Sequence, residues 1–184
     1  MKQIMKLIER LAKWPHLLVS FLLFVAGNVA ILPQVTRFEE MTNGMSLLEV
    51  PTMLSEDLYA VANAYSPEGL RLYQQVIQPL DIIYPLTAGL FFMVGLVMLT
   101  TRLFSADSRW RYLPLIGALA TLFDWLENLG VFLILQTLEM PNAIFATMTK
   151  LFIVLKFGVS SLSVLLLLGL FLWWVVRRFV NRGA

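Results

Sequence analysis

Cysteine is absent from the 184 residues, and histidine occurs once, at position 16. The lack of thiols excludes disulfides, thiol redox catalysis and thiolate metal sites. His16 on its own excludes bis-histidine haem and histidine-rich metal centres. Charge is also scarce, at 14% of residues, where a soluble domain carries about 25%. There is no G-x-S-x-G, no Gly-rich phosphate loop and no H-E-x-x-H, so the common hydrolase, nucleotide and zinc-protease signatures are missing. What the chain has in excess is apolar residues, 59% of the total with a mean hydropathy of +0.76. They lie in long runs, which indicates membrane spans rather than a water-soluble core.

Four runs reach the roughly 20 residues that a spanning helix needs. They fall near 16–32, 80–101, 112–137 and 150–176. The reading is an all-α, single-domain membrane protein (1–184), a four-helix bundle in the cytoplasmic (inner) membrane. The lead "KQIMKLIERLAKWP" is long and amphipathic and no clear A-x-A cleavage site follows the first span, so it is expected to be retained rather than cleaved as a signal peptide. Ten of the fourteen basic residues (Lys2, Lys6, Arg10, Lys13, Arg102, Arg109, Arg111, Arg177, Arg178 and Arg182) flank the spans on one side. Basic flanks mark the cytoplasmic face, so both termini are expected there. Trp14, Trp110, Trp173 and Trp174 mark the same interface. Orientation accounts for these basic ends, which therefore imply no nucleic acid.

Residues 33–78 are then the one sizeable aqueous element, an extracytoplasmic loop. Ser55-Glu56-Asp57 reads as a helix start, and Ser66-Pro67 as another, with Pro at the first helical position. From there the chain is expected to run into the second span, bent at Pro79 and Pro85. Leu47, Leu48, Val50, Leu54 and Leu58 suggest a lid lying on the bundle; a loop resting on headgroups is the equal alternative.

The spans are not uniformly apolar. At 1.5 Å per residue, Asp124 and Glu127 lie roughly 18 and 22 Å above the basic face, and Asn28 about 18 Å. Lys156 comes to about 9–12 Å below the other face. Asp81 and Tyr84 descend from that face on the second span. Asp124, Glu127 and Asn128 are spaced i, i+3, i+4 and share one helix face. Ionisable groups inside a membrane pair, neutralise or contact water, and are functional candidates by default. Lys156 offers one cation to Asp81, Asp124 and Glu127, so two carboxyls still need a proton, water or a cationic ligand. The expected ligand-binding set is Asn28, Asp81, Tyr84, Asp124, Glu127, Asn128 and Lys156, with Arg71 and Tyr73 at the rim. The competing reading makes the same residues glue: Lys156 pairs with Asp124 or Glu127, and Asn28 and Asn128 bond across helices. A metal site built from carboxylates alone is disfavoured, so neither metal nor cofactor is expected.

At "DIIYP" (81–85) and "DWLEN" (124–128) the chain resembles a set of uncharacterised bacterial four-span membrane proteins. In that set D-x-x-Y-P opens the second span and D-x-x-E-N lies in the third. "AYSPEGLRLY" (64–73) and Lys156 extend the likeness, which brings no activity with it. In layout alone the chain is also similar to the sterol-isomerase and sigma-2-receptor superfamily, whose buried acids meet a cationic centre. That analogy gives Asp81, Asp124 and Glu127 the acidic role. The leading expectation is binding of a membrane lipid or amphiphilic, amine-bearing small molecule, with acid–base proton transfer as an enzymatic variant. The others are an accessory subunit contacting a membrane-protein partner and an oligomeric proton- or ion-coupled transporter.

Overall fold

A computed structural model describes residues 2–180, all helix, turn and loop, with no strand among them. Arg182, counted above with the basic residues, lies outside the described residues. Four helices are long and apolar enough to cross a membrane. In chain order the helices are α1 (Lys2–Glu9), α2 (Trp14–Met41), α3 (Leu58–Asn63), α4 (Pro67–Leu72), α5 (Gln78–Leu103), α6 (Leu115–Gln136) and α7 (Ala143–Val180). A π-helical turn, Tyr73–Ile77, joins α4 and α5 into one rod from Pro67 to Leu103. Pro79 follows that turn and has no N–H to give, so wider i→i+5 bonds such as Gln78 N–H to Tyr73 carry the helix past it.

The first span does not end at 32. Pro33 sits inside α2, which continues to Met41 and removes 33–41 from the expected loop. A helical proline forfeits one backbone bond, and Thr36 holds the segment by donating its hydroxyl to Leu32 O at 3.2 Å. The true stop is a Schellman turn: Asn43 and Gly44 take positive φ (56° and 83°), and Gly44 N–H bonds Glu39 O at 2.7 Å. The first of the two expected loop helix starts also shifts, from Ser55. Asp57, not Ser55, caps α3 by accepting from Tyr59 N–H at 3.0 Å. Ser66 caps α4 as expected, accepting from Gly69 N–H at 3.0 Å.

The four long helices do not form a closed square. α5 touches α2, α6 and α7, and α6 packs along α7, but α2 makes no comparable contact with α6 or α7. The centre is therefore an α5–α6–α7 triangle with α2 leaning on α5. Small residues set the close crossings. Gly89 and Gly117 bring α5 and α6 together, and Gly130 admits Thr149 of α7.

The largest apolar core lies beyond the polar layer, at the end of the bundle where the 42–66 loop folds down. Phe38, Leu48, Leu58, Tyr73, Ile77, Val131 and Ile134 form it and are almost wholly buried. Phe38 meets the rings of Tyr65 and Tyr73 edge-on at 4.9 and 5.3 Å. The loop is tied down by Tyr65 Oη donating to Ser46 O at 2.7 Å, Ser66 Oγ to Met41 O at 2.8 Å, and a Tyr59–Thr137 hydroxyl pair at 2.8 Å. At the opposite end α1 lays Met5 and Ile8 on Val97, and Glu9 meets Arg111 at 2.9 Å.

Candidate functional site

The two sequence motifs meet at a helix defect. Pro85 lacks an N–H, so the carbonyl of Asp81, four residues earlier, has no helical donor. Asn128 supplies one: its Nδ2 donates to Asp81 O at 2.8 Å and also reaches Asp124 Oδ1 at 3.2 Å. Around the same bend, Trp125 Nε1 donates to Ile82 O at 2.9 Å and Thr121 Oγ1 to Pro85 O at 2.9 Å. The face of α6 that carries "DWLEN" thus fits the backbone opened by "DIIYP". Asn128→Leu should cost about 1–2 kcal/mol, the penalty for stranding a buried carbonyl. In a Pro85→Ala background the new N–H can bond Asp81 O, so the cost should shrink. A double-mutant cycle on chemical unfolding in mild detergent measures this, and an unchanged cost would refute the capping role.

One turn along α6 from Asp124, Glu127 is fully buried and pairs through Oε2 with Lys156 Nζ at 2.6 Å. Its Oε1 is the one deeply buried side-chain polar atom without a partner among the described residues. Lys156 is itself buried and lies 5.3 Å from the Phe157 ring centroid. Four carboxylates act electrostatically on it: Glu127, Asp124, Glu49 and Asp81.

Glu49 belongs to the 33–78 segment, expected from the sequence to be an aqueous loop. Instead, the loop buries it over the cluster, where its carboxylate accepts a short hydrogen bond from the Tyr73 hydroxyl. That hydroxyl also accepts from Leu48 N–H at 3.2 Å. The available signal was "LLEV" (47–50), an acid set among apolar residues just after a Gly turn. Burial, reinforced by Asp81 and Asp124 against the opposing pull of Lys156 and the Tyr73 bond, pushes the Glu49 carboxyl from 4.5 up to about 8. Between those values the folded chain holds a proton that the unfolded chain has released. Stability should therefore fall as pH rises through that window, by up to about 1.4 kcal/mol per pH unit. Thermal unfolding at pH 5 and pH 8 should show the decline in the native chain and its flattening in Glu49→Gln. Equal slopes would exclude Glu49 as the source.

Asp81, Asp124, Glu127, Asn128 and Lys156 are thus gathered into one region. Asn28 and Tyr84 lie on its α2–α5 side and are half-buried, as is Asp124. The Asn28 amide bonds within its own helix, to Phe24 O at 2.8 Å, and also lies against the Tyr84 hydroxyl of α5. Tyr73 is fully buried, joined to the cluster through Glu49. Arg71 is exposed and makes no hydrogen bond or ion pair among the described residues. No three acid or imidazole groups among the described residues converge closely enough to hold a metal ion. Chemically, the arrangement offers one fixed cation–carboxylate pair and three further carboxyls in a low-dielectric setting. Set against protein-family models, curated proteins and solved structures, the chain matches none.

Proposed function

We propose that this is a multi-pass protein of the cytoplasmic membrane, both termini in the cytoplasm, that binds the amine-bearing head of an amphiphile at the buried acid cluster. The observation that carries this reading is the charge imbalance: Asp81, Asp124 and Glu127 act on Lys156, with Glu49 as a fourth carboxyl, and Lys156 is the only cation near them among the described residues. Lys156 is committed to Glu127, and a carboxylate without a counter-charge is costly away from water. An incoming ammonium group lowers that cost. The half-buried Asp124, Tyr84 and Asn28 are the members that a ligand meets first. Interhelical hydrogen bonds in membranes average only about 0.6 kcal/mol, so glue alone is a weak reason to bury three more acids.

Dodecylamine and dodecanol share a chain and differ in head charge. The amine should raise the unfolding temperature of the detergent-purified chain by several degrees, dodecanol much less, and Asp124→Asn should abolish the difference. Equal shifts from the two amphiphiles, or a shift that persists in Asp124→Asn, would overturn the reading. Since the chain lacks cysteine, single cysteines at Thr52 and Ser108 test the topology directly. Only the first should react with an impermeant maleimide added to whole cells.

A further inference from the structure

One cleft along the candidate spans is not lined by the acids. It opens between the halves of α5 and α6 nearer the 42–66 loop, has a volume of about 610 Å³, and has no charged residue in its lining. One end carries the carboxamides of Gln74, Gln78 and Gln136, with Asn128 deeper in. The walls below them are Ile82, Trp125, Leu129 and Phe132. The geometry follows from helix periodicity. Residues 74, 78 and 82 repeat at four-residue steps, and 125, 129, 132 and 136 repeat at four and three, so two stripes face each other across the gap. Pro79 and the preceding π turn interrupt the regular ladder beside it.

The carboxamides are short of partners. Gln78 is more than nine-tenths buried yet makes no side-chain hydrogen bond to the described residues, and neither does Gln136. Gln74 has only a long contact to Leu135 O at 3.4 Å. The Asn128 Oδ1 accepts nothing from the described residues, although its Nδ2 is fully used. Neutral amides facing a cleft in an apolar surround are costly until something bonds them. They offer donors and acceptors but no charge. A phosphate or carboxylate head would find no cation here, and an ammonium head no anion.

We propose that this cleft is a second binding site, for a lipid with an uncharged, hydroxyl-bearing head such as a monoacylglycerol. The head bonds Gln74, Gln78 and Gln136, and the acyl chain runs along Ile82, Trp125, Leu129 and Phe132. The site goes beyond the acid cluster, with which it shares only Asn128, and its ligand differs in charge.

Trp125 is the one tryptophan in the cleft, so a brominated chain seated there quenches it selectively. The full chain is reconstituted in phosphatidylcholine nanodiscs with monooleoylglycerol brominated at the double bond. Quenching should saturate at a small mole fraction, vanish in Trp125→Phe, and be reversed by unlabelled monooleoylglycerol at least fivefold better than by oleate or oleylamine. Gln78→Leu and Gln136→Leu should each weaken that competition at least fivefold. Gln136 is exposed at the end of α6, so its variant decides the matter should Gln78→Leu misfold. Equal quenching by brominated phosphatidylcholine, or competition unaltered in Gln136→Leu, would show unselective surrounding lipid or interfacial water and overturn the proposal. Oleylamine binding that depends on Asp124 but not on Gln136 would belong to the acid cluster, so the two readings fail separately.

Discussion

Lys156→Met should destabilise the folded chain by about 3–5 kcal/mol, the usual cost of removing one partner of a buried ion pair. Glu127 is wholly buried and its Oε2 has Lys156 at 2.6 Å, while its Oε1 already lacks a partner. Removing the ammonium strands both oxygens and also withdraws the one nearby cation from Asp124, Glu49 and Asp81. The paired variant Lys156→Met/Glu127→Leu should recover most of the loss, because two apolar groups of similar size need no counter-charge. Chemical unfolding in mild detergent measures all three changes. A Lys156→Met chain within about 1 kcal/mol of the native one, in the range of an exposed pair, would mean that water reaches Glu127 and that the cluster is not a low-dielectric site.

That coupling was legible in the sequence because helix spacing is. Asp124, Glu127 and Asn128 fall on one face by periodicity alone, and depth along the spans placed Lys156 in the same layer. The four spans were legible for the same reason, since uninterrupted apolar length has few other meanings. Periodicity has nothing to say about a single residue in a loop. Glu49 therefore counted with the water-facing acids, and only the fold of 42–57 over the bundle shows it buried beside Tyr73. The first span was expected to end near 32, yet α2 passes through Pro33 to the Asn43–Gly44 turn. Asp81 was read for its carboxylate. Its carbonyl turned out to hold the motif pair together, through a defect that Pro85 makes and Asn128 fills. Helix-to-helix neighbours were the least legible feature. Nothing in the composition of α2 says that, of the other three long helices, it packs closely on α5 only.

The α5–α6 crossing that presents Asn128 to Asp81 should be the most sterically intolerant place in the molecule. A Cβ built on Gly117 lies 2.7 Å from Gly89 O and 3.0 Å from Met93 N, and one on Gly89 lies 2.8 Å from Gly117 O and 2.0 Å from Thr121 Oγ1. A side chain could rotate out of the way, but these neighbours are mostly backbone, so the helices themselves must part. Overpacking of this kind costs about 1–3 kcal/mol. Gly117→Ala should fall in that range, and Gly117→Val should exceed it and leave little folded chain on size-exclusion chromatography. Thr121→Ala should not rescue Gly89→Ala, since the carbonyl contact remains after the hydroxyl is gone. Gly158 and Gly169 supply the control. A Cβ at either meets nothing within 4 Å, so alanine there should leave stability unchanged or slightly raised by its better helix propensity. Were Gly117→Ala as harmless as Gly158→Ala, the contact between α5 and α6 would have to be looser than these distances allow. The Asn128 bond to Asp81 O at 2.8 Å and the Trp125 bond to Ile82 O at 2.9 Å would lose the close crossing that holds them in register. The acid cluster would lose its frame along with it.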